Sequence, residues 1–199
     1  MNFLCSDLEG VFVPEVWINV AEKTGIPELK RTTRDEPDYG KLMRFRIGIL
    51  HEKGLKLLDI QNVIATIKPL DGALDFLEWA KRQLPVAVLS DTFTQFADPL
   101  MAQLGRPVLF CNELVIDGEG FIIDFQLRQQ DQKRKVVQAL QNLNYLVIAM
   151  GDSYNDTSML NQAEYGILFR PPENVIRDFP QFPVANDYDV LREIISSIL

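Results

Sequence analysis

Short, continuous apolar runs alternate with amphipathic segments along this chain. Continuous apolar character is typical of strands that are covered by helices on both faces, whereas alternating character is typical of half-exposed strands. The runs therefore predict a mainly parallel sheet. They occupy residues 3–5, 86–89, 108–111, 146–150 and 166–169.

Helical periodicity fills the intervals between these runs and predicts an α/β fold with a doubly wound parallel sheet. Residues 113–125 break the alternation, because two β-branched stretches flank Asp117-Gly118-Glu119-Gly120 and predict a β-hairpin. The irregular stretch from Gln181 to Tyr188 is predicted to be a loop. The helical stripes are Ala73-Phe76-Leu77-Ala80, Val136-Val137-Leu140-Leu143 and Leu191-Ile194-Ile195-Ile198.

The segment from residue 14 to residue 68 has no convincing strand and is predicted to form a small helical cap, inserted after the first strand. A first helix should run from Pro14 toward Thr24 and end at Gly25, and a second from about Asp38 to Lys53, before Gly54. We therefore predict a Rossmann-like core, residues 1–13 and 69–199, and a cap, residues 14–68. The third cap stripe is Ile60, Val63, Ile64 and Ile67.

The amino-acid composition excludes some classes of partner and of metal site. Hydrophobic residues make up 47% of the 199 residues, and the net charge of −8 argues against nucleic acid or an anionic membrane as partner. One histidine and two cysteines cannot supply four ligands for a closed zinc site. The two cysteines are far apart and lie beside apolar runs, which is typical of buried free thiols in a reducing compartment. The sequence shows no secretory leader and no apolar run long enough to span a bilayer. We therefore predict a cytoplasmic protein.

Acidic and polar residues follow three of the predicted strands, where parallel sheets bind ligands. Their oxygens form a set that suits Mg²⁺, and a cation would offset the crowding of like charges. The alternative, that Asp7, Ser90 and Asp152 only cap helices, is favoured for any one of them but not for all three together. The residues at this edge are Asp7 and Glu9, Ser90 and Asp91, and Asp152, Asn155 and Asp156.

These residues also carry a family resemblance. In order along the chain they resemble the four motifs of the haloacid dehalogenase superfamily, and the helical insertion matches the family's cap position. More narrowly, the chain is similar to phosphoserine phosphatases, and especially to phosphoserine–homoserine phosphotransferases. The motifs are Asp7-Leu8-Glu9-Gly10-Val11, Ser90-Asp91-Thr92-Phe93, Lys133 and Gly151-Asp152-Ser153-Tyr154-Asn155-Asp156, supported by Glu173-Asn174-Val175-Ile176-Arg177.

The resemblance implies a role for each motif residue. Asp7 would be the nucleophile that forms an aspartyl-phosphate, and Glu9 the general acid and base. Ser90 and Lys133 would stabilise the phosphoryl oxygens. Lys133 is the first residue of a basic run, 133–135. The alternative to a catalytic role is that this run is the solvent-exposed start of a helix. Mg²⁺ would be held by Asp7, the backbone carbonyl of Glu9 and Asp152, with Asp156 behind these ligands.

Three positions depart from the usual motifs. Glu9 is one methylene longer than the customary Asp, Asp91 stands where a small residue is usual, and Ser153 stands where Gly is common. Glu9 alters the geometry of the general acid, and Asp91 adds negative charge near a phosphate site. Both departures fit an altered acceptor preference.

For the amino-acid part of the substrate, the resemblance points to Glu15 for the α-ammonium group and to Arg46 for the α-carboxylate. Arg44 is the competing arginine on the same predicted helix, and His51 is expected to be an ordinary residue at the cap edge. The complete predicted substrate set is Glu15, Arg46, Ser90, Asp91, Lys133 and Asn155.

The leading hypothesis is a Mg²⁺-dependent phosphoserine phosphatase that also transfers the phosphoryl group to homoserine. A phosphatase of another small metabolite, such as a sugar phosphate or pyridoxal phosphate, is a second hypothesis. A phospho-accepting receiver domain is a third, although receivers lack a helical insertion after the first strand. Small molecules are the expected partners, and a homodimer is an open expectation.

Overall fold

The computed structural model describes residues 1–32, 35–36 and 38–199. Within these residues one sheet has the strand order β4-β3-β2-β1-β5-β6-β7, and every neighbouring pair is parallel except β3 and β4. The predicted α/β fold is therefore confirmed. The strands are β1 (Asn2–Ser6), β2 (Val86–Phe93), β3 (Val108–Ile116), β4 (Ile122–Gln126), β5 (Leu146–Gly151), β6 (Tyr165–Phe169) and β7 (Val184–Ala185).

Helices cover both faces of the sheet. The helices are α1 (Val16–Thr24), α2 (Tyr39–Glu52), α3 (Leu57–Ile64), α4 (Ala73–Gln83), α5 (Thr94–Gln103), α6 (Gln132–Asn142), α7 (Thr157–Gln162), α8 (Glu173–Asp178) and α9 (Tyr188–Ile198). Successive residues of β1 and β5 enter different hydrophobic clusters: Leu4 and Ile148 pack with α1–α5 and α9, whereas Cys5 and Val147 pack with α6–α8. No helix in the described part of the chain is both long and apolar enough to cross a lipid bilayer.

The three helices predicted after the first strand are present as α1, α2 and α3, and we call the segment 14–68 that contains them the cap. Helix α1 ends at Gly25, which adopts a left-handed conformation with φ 68°, as the predicted stop requires. Helix α2 begins after Asp38, whose side chain accepts a hydrogen bond from the Lys41 backbone N–H at 3.0 Å. Ile67 lies beyond the end of α3. Three residues of the predicted cap, Thr33, Arg34 and Pro37, lie outside the described residues.

The predicted hairpin is formed by β3 and β4, but β3 is one continuous strand that also includes the apolar run 108–111. The loop predicted for residues 181–188 is wrong in part, because this stretch contains β7 and the first residue of α9. Helix α5 was not predicted. Its interior Pro99 has no N–H to donate to the Gln95 carbonyl, which instead accepts a hydrogen bond from the Gln61 side chain of α3 at 2.8 Å.

Candidate active site

The motif residues meet at the carboxyl edge of the parallel strands. Asp7 directly follows β1, and Asp152 directly follows β5. The prediction that β2 ends before Ser90 is wrong, because the strand continues to Phe93. The pairing of β2 with β3 shifts between Leu89 and Phe93, so Ser90 and Asp91 lie in an irregular part of the strand. This irregularity brings the Asp91 carboxylate within 3.9 Å of the Lys133 ammonium group.

Lys133 is the buried cation of the site. Its Nζ lies 2.8 Å from Asp7 Oδ1 and 2.7 Å from Asp156 Oδ1, and the residue is only 3% exposed. Burial alone lowers the pKa of Lys133, but Asp156 and Asp7 outweigh it and hold that pKa well above its ordinary value. The solvated interpretation of Lys133 is therefore wrong. The ammonium group has a fixed position beside the predicted nucleophile.

Three carboxylates converge beside this lysine. Oxygens of Asp7, Asp152 and Asp156 lie within 4.8 Å of one another. Burial, reinforced by Asp156, raises the pKa of Asp7 well above its ordinary value, and burial and Asp156 likewise raise the pKa of Asp152 to about 7. Hard divalent cations bind such oxygen sets. The donor chemistry of this cluster therefore fits Mg²⁺.

Two glycines make room for these carboxylates. A Cβ on Gly10 would lie 2.5 Å from the Asp152 carboxylate, and a Cβ on Gly151 would collide with the Asp156 side chain. Gly10 also has φ +75°, a backbone conformation that other residues seldom adopt. The close approach of backbone and carboxylate is thus built into both motifs.

Asp156 orients the loop that carries Asp152. Its Oδ2 accepts hydrogen bonds from the backbone N–H groups of Asp152 at 3.0 Å and Ser153 at 3.2 Å, while its Oδ1 accepts one from Lys133. With both oxygens engaged, Asp156 fixes the backbone of the loop that carries Asp152, and its place behind the metal ligands stays a prediction.

Glu9 joins the loop after β1 to the cap. Its Oε2 accepts a 2.7 Å hydrogen bond from the backbone N–H of Val16, the first residue of α1. Burial, followed by repulsion from Glu15, raises the pKa of Glu9 to about 8. A carboxyl group with that pKa is largely protonated at neutral pH and can donate a proton.

The cap presents Arg46 rather than Arg44 from α2. Arg46 is buried over the Trp17 ring at 4.5 Å, and its Nη2 donates to the Arg31 carbonyl at 2.7 Å. The Nε of Arg46 is buried and has no hydrogen-bond partner. Burial lowers its pKa to about 10, although Tyr39 and Glu9 act in the opposite direction. Arg44 is exposed.

The remaining predicted residues lie at the rim. Glu15 is exposed, but its charge raises the pKa of both Glu9 and Asp152. Asn155 is also exposed, and its side-chain oxygen accepts a hydrogen bond from the Ser153 hydroxyl. His51 is exposed against the Phe121 ring of the hairpin loop, at a centroid distance of 5.2 Å.

Three side chains that sequence reasoning missed hold the Ser90–Asp91 segment. Gln132 Nε2 donates to the Ser90 carbonyl at 2.8 Å and to Asp91 Oδ1 at 3.1 Å. The Asp91 carbonyl accepts hydrogen bonds from the Tyr39 hydroxyl at 2.7 Å and from Asn112 Nδ2 at 3.1 Å. Only the position of Gln132 next to Lys133 offered a sequence signal, because the other two partners come from the cap and from β3.

Residues 16–161 match the family model of haloacid dehalogenase-like hydrolases, which is more than half of the chain. The chain belongs to this hydrolase family. The receiver-domain hypothesis is therefore not supported, since both the family match and the cap helices after β1 point to the hydrolase.

This hydrolase has relatives with more than half of their aligned residues identical to its own. It is 58% identical over 192 residues to the phosphoserine phosphatase ThrH of Pseudomonas aeruginosa, with 96% of this chain and 94% of that protein covered. It is 56% identical over 193 residues to a phosphoserine phosphatase of Pseudomonas syringae pv. tomato, covering 97% of this chain and 81% of that one.

Solved structures agree with the fold of the hydrolase. A phosphoserine phosphatase in its apo form superposes with a TM-score of 0.78 at 22% identity, covering 98% of this chain and 97% of that one. A phospho-aspartyl intermediate analogue of phosphoserine phosphatase gives a TM-score of 0.77 at 21% identity, with the same coverage. At these identities the likeness establishes the shared fold.

Proposed function

We propose that this hydrolase cleaves phosphoserine through an aspartyl-phosphate on Asp7 and can pass the phosphoryl group to homoserine. The observation that carries the proposal is the buried Lys133 ammonium group, 2.8 Å from Asp7 Oδ1, beside three converging carboxylates. Its similarity to a protein named phosphoserine phosphatase ThrH supports the choice of substrate.

In the proposed first step, a carboxylate oxygen of Asp7 attacks phosphorus and the bond from phosphorus to the serine oxygen breaks. Glu9, with a pKa of about 8, gives its proton to the departing serine oxygen. Lys133 places a positive charge beside the phosphoryl oxygens, and the Ser90 hydroxyl donates a hydrogen bond to them.

In the second step, an incoming hydroxyl oxygen attacks phosphorus, the bond from phosphorus to Asp7 breaks, and Glu9 takes the hydroxyl proton. Water yields inorganic phosphate, and homoserine yields phosphohomoserine. Homoserine differs from serine by one methylene, which is typically worth only about 1–3 kcal/mol of discrimination. Exclusion of water by the closed cap would then favour transfer.

Mg²⁺ fits the acidic cluster and would be held by Asp7, Asp152 and the backbone carbonyl of Glu9. When bound, it supplies positive charge that offsets the phosphate and the crowded carboxylates. Glu15 would bind the α-ammonium group of the substrate and Arg46 its α-carboxylate, with Asp91 and Asn155 at the rim. We also propose a cytoplasmic location, because both cysteines are free and buried.

The deciding experiment incubates the protein with phosphoserine and Mg²⁺, with and without homoserine, and follows the products by phosphorus NMR. We expect inorganic phosphate in both samples and phosphohomoserine in the second. Asp7→Asn should abolish both products. If phosphohomoserine is absent, the transferase proposal fails. If inorganic phosphate is also absent while a sugar phosphate or pyridoxal phosphate is cleaved, the proposed substrate is wrong.

A further inference from the structure

Tyr39 links the cap to the phosphate-binding segment of the core. It is the first residue of α2, and its hydroxyl donates a 2.7 Å hydrogen bond to the Asp91 carbonyl. Its ring meets Phe125 of β4 edge-on, with a centroid distance of 6.2 Å. Asp91 immediately follows Ser90, whose hydroxyl is predicted to bind phosphate. The Tyr39 hydroxyl is therefore hydrogen-bonded to the residue next to Ser90.

Two other polar contacts between cap and core lie away from the site. Gln61 of α3 donates to the Gln95 carbonyl at 2.8 Å, and the Leu57 backbone N–H donates to the Gly120 carbonyl at 2.9 Å. Each of these bonds fastens the cap, yet neither partner adjoins a motif residue. The Tyr39 bond differs because it fastens the cap and fixes the Ser90–Asp91 backbone at once.

In the proposed function, the position of the cap would govern which hydroxyl reaches a phosphorylated Asp7. An open cap would admit water, whereas a closed cap would leave space for an acceptor held by cap residues such as Arg46. Asp91 itself is fixed on the core side by Gln132 and Asn112, so its carbonyl is a stationary acceptor for the Tyr39 hydroxyl.

We propose that Tyr39 is a positioning residue that latches the closed cap onto Asp91 and thereby favours transfer to an amino-acid hydroxyl over hydrolysis. This inference rests on the proposed function, because it concerns the division of the same phosphoryl group between two acceptors. In this role Tyr39 acts through Asp91 and does not need to contact the substrate.

Tyr39→Phe tests the latch with little disturbance. The ring and its contact with Phe125 are retained, and the Asp91 carbonyl keeps its bond from Asn112 at 3.1 Å. We expect the ratio of phosphohomoserine to inorganic phosphate to fall about threefold to tenfold, the effect of one hydrogen bond on a two-state equilibrium. An unchanged ratio in a variant that still turns over would overturn the proposal.

Gln61→Leu is the matched control, since it removes a cap–core hydrogen bond of similar length at Gln95. The ratio should stay at the wild-type value in this variant. An equal fall in Gln61→Leu and Tyr39→Phe would mean that any loosening of the cap shifts the products, and the specific role of Tyr39 would then be wrong.

A second measurement follows the cap without turnover. Trp17 of the cap contacts both Arg46 and Phe96, the latter in the core helix α5. The Arg46 guanidinium carbon lies 4.5 Å from the centre of the Trp17 ring, and the centres of the Trp17 and Phe96 rings are 5.6 Å apart. In a Trp79→Phe background, which leaves Trp17 as the single tryptophan, acrylamide quenching should be stronger in Tyr39→Phe than in Gln61→Leu.

The two measurements separate failure of the latch from failure of the proposed function. If the wild-type protein releases phosphate but never forms phosphohomoserine, the acceptor assignment fails, and the latch is judged by quenching alone. Quenching that is the same in Tyr39→Phe as in the parent then overturns the latch.

Discussion

At the scale of single residues, charge balance gives the acidic cluster a reason to hold protons or a cation. Asp7, Asp152 and Asp156 contribute three negative charges when ionised and Lys133 contributes one positive charge, which leaves two negative charges in a largely buried site. Uncompensated buried charges are costly, and a protein lowers the cost by holding protons or a counterion. The raised pKa values of Asp7 and Asp152 favour bound protons. A divalent cation would serve as the counterion instead.

Gly10→Ala should show how tightly the backbone approaches this cluster. The new methyl group would lie 2.5 Å from the Asp152 carboxylate at a φ of +75°. We expect Mg²⁺ affinity to fall at least about tenfold, the effect of disturbing a ligand's support. Gly54→Ala is the control, because Gly54 has a similar φ of +66° and no neighbour within 4 Å.

Both glycine variants should lose about 1–2 kcal/mol of unfolding free energy from left-handed strain, measured by urea denaturation. Only Gly10→Ala should also lose Mg²⁺ affinity, measured by titration calorimetry. Equal Mg²⁺ affinities in the two variants would contradict the close approach of Gly10 to Asp152.

Arg46 and Arg44 form a matched pair on one helix. Arg46→Ala should raise the KM for phosphoserine about tenfold to a hundredfold, the range expected for charge-assisted hydrogen bonds, with a smaller change in kcat. Arg46→Lys keeps a positive charge but loses the planar guanidinium group. Its KM should therefore lie between those of the wild type and of Arg46→Ala. Arg44→Ala, at an exposed position, should leave steady-state kinetics within about twofold of wild type. A larger effect at Arg44 would reverse the assignment.

At the scale of elements, the last helix supports the loop of the first motif. Helix α9 begins after Asp187, whose carboxylate accepts hydrogen bonds from the backbone N–H groups of Asp189 and Val190 at 3.0 and 2.9 Å. Tyr188, which directly follows Asp187, donates a 2.5 Å hydrogen bond to the carbonyl of Val11, between Asp7 and the cap. The C-terminal helix therefore fixes the backbone between β1 and the cap.

Tyr188→Phe should destabilise the protein by about 1–3 kcal/mol, the cost of leaving a buried carbonyl unpaired. The ring stacking with Phe169, at 4.8 Å, would be retained, so the loss isolates the hydroxyl group. Urea denaturation measures the change. Tyr165→Phe, at a tyrosine that is 42% exposed, is the control and should change stability by less than about 0.5 kcal/mol. Equal effects would contradict a special role for the bond to Val11.

At the scale of the whole molecule, metal binding should be linked to pH. Asp152 has a pKa of about 7 in the metal-free fold against 3.8 as an ordinary carboxyl group, so the folded state holds a proton that the unfolded chain releases. This contribution to stability is complete below about pH 4 and is lost as the pH rises through 7. Mg²⁺ would require the ionised carboxylates, so its binding should release protons.

The rise in Tm caused by Mg²⁺ should therefore be larger at about pH 8 than at about pH 5.5, by at least about 3 °C. Thermal unfolding with and without Mg²⁺ at the two pH values measures this difference. Asp152→Asn should remove most of the Mg²⁺ response, whereas Asp98→Asn, at an exposed ion pair with Arg106, should not. A Mg²⁺ response that does not change with pH would contradict the linkage.

Much of the fold was contained in local patterns. Apolar runs predicted β1, β2, β3, β5 and β6, with the end of β2 placed too early, because a strand covered on both faces needs continuous apolar residues. Gly25 and Gly54 marked helix ends because their left-handed conformations suit glycine. Helix α5 was not predicted; it contains Pro99, and the Gln61 side chain of α3 donates to the Gln95 carbonyl that this proline leaves free.

The sequence by itself determined the α/β alternation, the helical cap and the acidic motif residues, because these depend on spacing and residue type. Tertiary structure alone decided that Lys133 is buried between Asp7 and Asp156, and it showed that Arg46, the arginine chosen from the family resemblance, is buried. It also brought Tyr39 to Asp91 across 52 positions and Tyr188 to Val11 across 177. Such contacts leave no periodic signal, since their partners meet only after the sheet and the cap have packed.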